Sequence, residues 1–456
     1  MHEKAGEKIK LALRYAVIVV LSAQIMMGLA WGFKNFSLLQ PFPDTADLVG
    51  LSGTLKLTGD TGILYPAFLL LVRALTVNGP VKFYHVMYLL QIVLGFAAWF
   101  VFAKNVFKVS SKDKNIFFAL AVITNPYAMQ VHLAVLEYSF ISSFAALLIS
   151  FQIRFTREWK EAEKCPGLEK ALRDISVTSL FWLASALTRK EFFIIGLIPV
   201  AALLIAILKR FMTGKAKPAF FIWPTAVALA FAGIICMGDS LFREGEKLSV
   251  IDSVKRDLYY RVAWGEDFRD RYHWPEYLTD KVDESMMTHI MNDPGLVRTD
   301  FTDYMTSRYG SDETTRLFAE WAGISFSGNK KHIIKETVSD MAGYVFAPAR
   351  TEMILSGSEY PGYAAGNYDV MKQSAPKLTK IYLGFFSVMY CVLAAVSLAA
   401  LIFGKGLKRK AFYFIPAALM ALGCAAYYSM QGCNVFDHRK VVFTTCLWIA
   451  LMMGGL

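Results

Sequence analysis

Apolar runs long enough to cross a lipid bilayer recur along this chain, and they restrict its fold more than any other feature. Hydrophobic residues make up 55% of the 456 residues, and the mean hydropathy is +0.40. One soluble core could not bury this much apolar surface, whereas an apolar helix of about 20 residues spans the hydrocarbon layer. No small-residue cleavage site follows the first run, residues 11–32, so we expect it to remain as a signal anchor. The sequence therefore predicts an all-α polytopic membrane protein.

The distribution of charge separates this chain from nucleic-acid-binding proteins. The formal net charge is +11, yet acidic residues outnumber basic ones between residues 237 and 378. The positive excess lies in short loops between apolar runs, as is typical of cytoplasmic loops, so membrane lipids and not nucleic acid are the expected partners. We find no GxGxxG, GxxxxGK[ST] or HExxH motif, which argues against ATP or nucleotide sugars as direct substrates. The six scattered cysteines form neither a disulfide framework nor a metal-ligand pattern.

The alternation of apolar runs and basic loops predicts about ten transmembrane helices with both termini in the cytoplasm. Residues 1–236 would form an N-terminal transmembrane catalytic module whose first outer loop covers residues 33–80. Residues 237–378 would form one larger, mainly helical outer domain, and residues 379–456 the C-terminal transmembrane helices.

Some of the predicted helical segments are not expected to be single membrane crossings. Leu64–Leu75 is apolar but too short to span a bilayer, so we expect an interfacial or re-entrant helix that begins near Tyr65-Pro66. The run Ile116–Ile153 has basic clusters at both ends, which favours two crossings joined by a polar outer turn near Asn125–Glu137. In the outer domain, Lys331–Leu355 is predicted to be mostly helical.

An acidic stretch, Pro41–Leu48, follows the first apolar run and is expected on the outer side of the membrane. If a sugar departs from a lipid phosphate, the leaving group is a weak base and needs no proton, so one carboxylate that deprotonates the acceptor suffices. We predict that Asp44 is this base and that Asp47 is the rival candidate. The structural alternative is that Asp44 caps a short helix while Asp47 is only solvated.

Two cationic clusters also fall on the predicted outer side. Arg189 and Lys190 follow the apolar run 177–187, and His438 and Arg439 precede the last run. Ionisable groups at membrane depth are costly and usually face an interior cavity and a partner. We predict that these cations bind a phosphate, which arginine can contact bidentately. The alternative is that each arginine pairs only with the acidic residue two positions away, as an interfacial ion pair.

The order of several short motifs resembles that of the glycosyltransferase C superfamily. Behind the acidic stretch come Gly62–Phe68 (GILYPAF), Thr124–Tyr127 (TNPY) with Leu136-Glu137 downstream, and Leu187–Glu191 (LTRKE). The nearest likeness is to the branch that uses polyprenyl-phosphate sugars, including protein O-mannosyltransferases and lipid A aminoarabinose transferases. It covers residues 10–210 and depends on motif order, because each motif is short.

The resemblance implies a transferase that moves a sugar from a polyprenyl-phosphate donor to a glycan, lipid or protein acceptor at the outer face of a bacterial plasma membrane. Asp44 matches the superfamily's catalytic acidic residue, and Arg189 matches a basic residue near the phosphate. Four further residues fall in or beside the motifs and are candidates for lining the site or contacting the acceptor: Tyr65, Tyr127, His132 and Glu137.

The chain also departs from the family pattern. Many relatives have two adjacent acidic residues followed by a tyrosine, whereas Thr-Ala separates Asp44 from Asp47, so both carboxylates stay candidates. The superfamily contains metal-dependent and metal-independent members, so no metal ligand is assigned and a divalent cation, Mg²⁺ or Mn²⁺, is left open.

Other functions fit the same features. A lipid-linked glycan flippase or other transporter would use the outer cations for binding alone, and inverted repeats or broken helices would favour it; neither is visible in the sequence. A non-catalytic scaffold of envelope assembly would use residues 237–378 as a binding module. A glycan polymerase or ligase would differ from the first hypothesis only in its substrates.

Overall fold

The computed structural model describes most of the chain and contains no β-strand within the described residues. The described residues are 2–35, 49–50, 52–53, 55, 62–76, 80–108, 111–214, 219–242, 281–286, 288, 300–346, 376–403, 412–431 and 442–454. The helices in chain order are α1 (His2–Asn35), α2 (Leu64–Leu75), α3 (Pro80–Phe107), α4 (Lys112–Ile123), α5 (Pro126–His132), α6 (Tyr138–Glu161), α7 (Leu168–Ala186), α8 (Phe192–Ile195), α9 (Leu197–Thr213), α10 (Ala219–Phe242), α11 (Asp300–Tyr309), α12 (Ser311–Phe346), α13 (Pro376–Phe403), α14 (Ile415–Gln431) and α15 (Val442–Gly454), with a 3-10 turn at Phe412–Phe414. The prediction of an all-helical protein is confirmed for this part of the chain.

Six helical segments of the described chain are long and apolar enough to cross a membrane. They are Tyr15–Lys34, Lys82–Phe107, Tyr138–Glu161, Phe192–Thr213, Phe220–Gly238 and Lys377–Ser397. Leu64–Leu75, Ile415–Ser429 and Val442–Met453 are apolar but shorter. These helices support a helical membrane protein, while the number of ten crossings stays a prediction.

Many apolar side chains on the candidate spans point away from the protein. Phe33, Ile205 and Leu229 are among the exposed large hydrophobic residues. A soluble domain of this size would not expose so many, whereas helices in a bilayer place such side chains among lipid tails. The outer surface of these helices therefore agrees with a membrane location.

Contacts within the chain divide it into two units. The first unit comprises residues 1–242, 344–424 and 437–456, and the second comprises residues 243–343 and 425–436.

Helix α6 occupies the centre of the first unit, where it packs against α3, α7, α9 and α15. Its candidate span is the most buried of the six. Small and polar residues allow this close packing, because a buried hydroxyl group can bond to a neighbouring helix or to its own backbone. Asn105 of α3, for example, donates a hydrogen bond to Ser150 Oγ of α6 at 3.1 Å.

The second unit has its own small core around α11 and α12. Phe301, Phe318 and Trp321 form a buried aromatic cluster with ring centroids 6.0 to 6.4 Å apart. Arg308 binds Asp283 at 2.7 Å on the surface of this unit. Helix α12 begins at Ser311, twenty residues before the predicted start at Lys331, and the added part buries Leu317, Phe318, Trp321 and Ala322, so packing supports the helix there.

The predicted short helix is confirmed, with bounds Leu64–Leu75, while its place in an outer loop stays a prediction. It buries Tyr65, Leu69 and Val72 on one face while Leu71 and Leu75 stay exposed.

The segment between α4 and α6 differs in burial from the polar outer turn that was predicted there. Asn125 begins α5 by accepting a hydrogen bond from the Ala128 N–H at 3.0 Å, with Pro126 in the first helical position. The helix then ends at His132, and α6 starts after Glu137. All of these residues are buried, because other helices cover the break.

A buried carboxylate connects α6 to α7 and generates the first prediction. Asp174 is fully buried, accepts a hydrogen bond from Trp159 Nε1 at 3.0 Å and binds Lys170 Nζ at 2.8 Å. We expect Asp174→Ala to destabilise the protein by about 2 kcal/mol, since the buried indole N–H loses its acceptor. Thermal unfolding in detergent would test this, with Asp113→Ala at an exposed helix start as control. Equal unfolding temperatures of the two variants would contradict the prediction.

Candidate functional site

The centre of the candidate site is a buried ion cluster in the first unit. Arg189 Nη1 donates a hydrogen bond to Glu137 Oε1 at 2.9 Å, and Arg189 Nε donates one to Glu191 Oε1 at 2.9 Å. The side chains are 6%, 4% and 0% exposed for Arg189, Glu137 and Glu191, respectively. One guanidinium therefore bridges two carboxylates that lie more than fifty positions apart in the sequence.

Interruptions in the helices bring these three residues together. Arg189 lies in the turn that follows α7, where its backbone N–H still bonds to Ser185 O at 3.0 Å. Glu137 stands immediately before α6, and Glu191 stands immediately before α8. The start of a helix favours a nearby negative charge, so the carboxylate of Glu137 suits this position.

One aromatic ring also contacts Arg189, and the next residue along the chain is buried beside it in sequence. The Arg189 guanidinium carbon lies 5.0 Å from the centre of the Tyr138 ring, a distance that allows a cation–π interaction. Lys190 is also buried.

The backbone that leads into α2 is fixed to the turn that carries Arg189. The Gly62 N–H donates to Thr188 O at 2.9 Å, and the Leu64 N–H donates to Leu187 O at 2.8 Å. A Cβ atom on Gly62 would collide with the Leu187 carbonyl group, so this approach requires glycine. The GILYPAF and LTRKE motifs are thus in direct contact.

A chain of hydrogen bonds extends from α2 to the break before α6. Tyr65 donates from its hydroxyl group to Gln91 Oε1 at 2.8 Å, and both side chains are buried. Gln91 Nε2 in turn donates to His132 O at 3.0 Å and to Ala134 O at 2.8 Å. Gln91 therefore binds the last carbonyl group of α5 and a carbonyl group of the following turn, which also accepts from the Leu136 N–H at 3.1 Å.

The imidazole of His132 is held tightly and is neutral near pH 7. Its Nδ1 lies 2.7 Å from Ser139 Oγ. Its Nε2 and Cε1 face Gly95 of α3, where a Cβ atom would come within 2.8 Å and 2.7 Å of them. Burial lowers the pKa of His132 to about 4. Nε2 thus lies against Gly95, and no hydrogen-bond partner for it is found among the described residues. That His132 lines the site stays a prediction.

Tyr127 lies on the part of α5 that faces α13. It is buried in α5, and its ring centroid lies 6.2 Å from that of Phe386 in α13. The structure therefore brings Tyr65, His132, Glu137 and Arg189 into connected segments around one break, while Tyr127 packs toward α13.

Asp44, Asp47, His438 and Arg439 lie outside the described residues. The chain on both sides of the acidic stretch is described, however. Trp31 before it and Val49 after it pack in the same apolar cluster as Tyr65. Asp44 and Asp47 thus belong to a segment whose two flanks reach the cluster that supports α2.

Sequence reasoning missed Gln91 and Tyr138. Gln91 is a polar residue within the apolar run that forms α3, and an amide in such a run needs partners inside the protein, so its position was a usable signal. Tyr138 follows Glu137 directly, but nothing in the sequence indicates that its ring lies beside Arg189.

The described residues contain no group of three histidine, cysteine or acidic side chains placed to hold a metal ion. In this part of the chain the carboxylates of Glu137 and Glu191 both bind Arg189 instead. The use of Mg²⁺ or Mn²⁺ stays a prediction.

Comparisons of the chain with protein-family models, with curated proteins and with solved structures yielded no match. The fold and site define the chain as a helical membrane protein with a buried ionic cluster at interrupted helices.

The contact between Gly62 and the Arg189 turn can be tested by adding one methyl group. We expect Gly62→Ala to destabilise the protein by about 1–3 kcal/mol, because the added Cβ must push the Leu187 carbonyl away. Gly50→Ala is the matched control, since no atom lies within 4 Å of a Cβ at that position. The measurement is thermal unfolding of both variants in detergent, and an unchanged midpoint for Gly62→Ala would refute the proposed contact.

The ion cluster predicts that substitutions of Arg189 and Glu137 will have non-additive effects on stability. Arg189→Met should destabilise the protein by about 3–5 kcal/mol, because two carboxylates lose their buried counter-charge. The double variant Arg189→Met/Glu137→Met removes one charge of each sign and should recover much of that stability. Thermal unfolding of the single and double variants would measure the coupling. A double variant that is less stable than Arg189→Met would show that the two side chains do not form a coupled pair.

Proposed function

We propose that the protein is a membrane glycosyltransferase that transfers a sugar from a polyprenyl-phosphate donor to an acceptor. The observation that supports it best is the meeting of the GILYPAF, Leu136-Glu137 and LTRKE motifs around Arg189. These motifs are far apart in the sequence, and their order alone suggested the glycosyltransferase C superfamily. Their contact is what a shared site requires.

The proposed chemistry needs one base and a positive environment. Asp44, or Asp47 in its place, removes the proton from the acceptor hydroxyl group as its oxygen forms a bond to the anomeric carbon. The bond between that carbon and the phosphate oxygen breaks, and the polyprenyl phosphate departs with the bonding electrons. Cationic side chains then stabilise the negative charge of the departing phosphate.

The ion pairs of Arg189 favour different roles for the different cationic side chains. Arg189 already bridges two carboxylates, so its main contribution would be to fix Glu137 and the turn before Lys190. Lys190, with His438 and Arg439, would then supply most of the charge that faces the phosphate. A guanidinium held in this way is preorganised and does not have to rearrange during the reaction.

The acceptor in this proposal is a glycan, a lipid or a protein, and a glycan polymerase or ligase would use the same donor chemistry. We place the reaction at the outer face of a bacterial plasma membrane, because the acidic stretch follows a first span with basic residues before it.

A lipid-linked glycan transporter is the second candidate, and the structure contains one feature that favours it. The helices that carry the ion cluster are interrupted, at residues 133–137 before α6 and at residues 187–191 before α8. Interrupted helices with charged groups at the break are typical of substrate sites in secondary transporters.

One experiment separates the two candidates. Purified protein would be incubated with polyprenyl-phosphate sugars and acceptors, with and without Mg²⁺ or Mn²⁺, and the released polyprenyl phosphate would be measured. We expect release by the unmodified chain and a loss of about 10²–10⁴-fold in Asp44→Asn or in Asp47→Asn, because only one of them acts as the base. Asp113→Asn, an exposed carboxylate elsewhere, should keep full activity.

The outcomes of this experiment are distinct. Release that neither variant reduces would exclude both carboxylates as the base. No release with any donor, from protein that moves the lipid across vesicles, would reject the transferase in favour of the transporter.

A further inference from the structure

Helix α12 continues well beyond the core that anchors it. Its first part, from Ser311 to Ala322, contains the buried side chains of the second unit's core. Among the described residues from 323 to 342, none is buried. At 1.5 Å per residue this second part of the helix is about 30 Å long, and it has no core of its own.

The second part of α12 is a poor helix former by composition. It contains Gly323 and Gly328, with serine and asparagine residues close to them and β-branched residues after them, and all of these lower helix propensity. In proteins most helical stability comes from the packing of an apolar face and not from propensity. A helix in this part of the chain therefore needs a surface to pack against.

An apolar face is exposed on this part of the helix. Ile334 and Val338 are 53% and 59% exposed and lie four residues apart, so they are neighbours on one side of α12. Phe326 is also exposed and lies about two turns before Ile334, on the same half of the helix. Single exposed apolar side chains are common, but a row of them indicates an interaction surface.

Three lysines surround this face. Lys330 and Lys331 stand four and three residues before Ile334, and Lys335 stands three residues before Val338. Residues three or four apart are neighbours on a helix surface, so each ammonium group lies beside an exposed apolar side chain. All three lysines are exposed, and none of them forms an ion pair within the described part of the chain. The face therefore combines apolar surface with positive charge that no carboxylate neutralises.

A lipid surface fits this combination better than a second copy of the chain does. Helices that lie along a membrane surface place apolar side chains among the acyl chains and lysines among the phosphate groups. Two copies packed through this face would instead bring the lysines of both copies together. The chain also contains the candidate span Phe220–Gly238, and the second unit follows it from residue 243. This covalent link keeps a membrane at high effective concentration for the second unit.

We propose that the second part of α12 lies along the surface of an anionic membrane. Phe326, Ile334 and Val338 contact the acyl chains, and the three lysines contact the phosphate groups of anionic lipids. The membrane then supplies the packing partner that this part of the helix lacks within the described chain. The contact uses no residue of the proposed transferase site and does not depend on that function.

A polarity-sensitive fluorescent amino acid, placed in the full chain instead of Ile334 or instead of Ser339, would test this contact. Ser339 is exposed and lies about 140° around the helix from Ile334, so it should face water. The purified chain would be reconstituted in vesicles of phosphatidylcholine with brominated acyl chains, with and without phosphatidylglycerol. With phosphatidylglycerol, the probe at position 334 should show blue-shifted emission and quenching by bromine, and the probe at position 339 should show neither.

The charge requirement would be tested in the chain that carries the probe at position 334. Lys331→Gln/Lys335→Gln should shift the equilibrium at least about tenfold from the bound to the free helix, since each lysine near an anionic surface contributes about fivefold. Lys112→Gln/Lys114→Gln, which removes two exposed lysines of α4, should leave the quenching unchanged. Salt needs no substitution and guards against a folding defect: at about 1 M the screening length falls to about 3 Å, so the quenching should weaken.

Three results would overturn the proposal. The first is equal quenching at positions 334 and 339, and the second is equal quenching with and without phosphatidylglycerol. The third is blue-shifted emission at position 334 without quenching by bromine, because protein, such as a second copy of the chain, would then cover this face.

Discussion

The bridge from Arg189 to Glu137 and Glu191 is the interaction on which the rest of this region depends. A guanidinium at this depth is stable only with counter-charges and hydrogen-bond acceptors within reach, and the two carboxylates supply both. Each partner stands at an interruption of a helix, so the bridge also fixes where α6 and α8 begin. Removal of one member leaves an uncompensated charge inside the protein, which is why the three side chains form one unit and cannot be treated as separate contacts.

The interrupted helices extend this constraint to the backbone. A helix end leaves carbonyl and N–H groups without partners, and within a membrane protein they must be satisfied by the protein itself. Gln91 serves the carbonyl groups of His132 and Ala134, and the Gly62 and Leu64 N–H groups serve those of Thr188 and Leu187. The hydrogen bonds that satisfy these backbone groups also bring the segment that begins at Gly62 beside Arg189. Stability and the arrangement of the candidate site therefore have the same physical origin in this part of the chain.

The sequence predicted the features that depend on local pattern and missed those that depend on long-range packing. Apolar length predicted the helical membrane class and the short helix Leu64–Leu75, because both follow from hydrophobicity and the rise per residue of a helix. The pairing of Arg189 with Glu191 was foreseen as an alternative, since the two are neighbours in sequence. The second partner, Glu137, could be placed near Arg189 only through motif order. The burial of Asn125–Glu137 was not predicted, because polar residues at a turn look the same whether water or other helices cover them.

The charge of the ion cluster bears on how a phosphate could bind beside it. Arg189 bridges the carboxylates of Glu137 and Glu191, so these three groups carry one net negative charge when all are ionised and would not attract an anion by themselves. A phosphate that approaches would have to compete with two carboxylates for Arg189, and it would lose that competition unless additional cations joined the site. His438 and Arg439 are the residues that the sequence offers for this purpose.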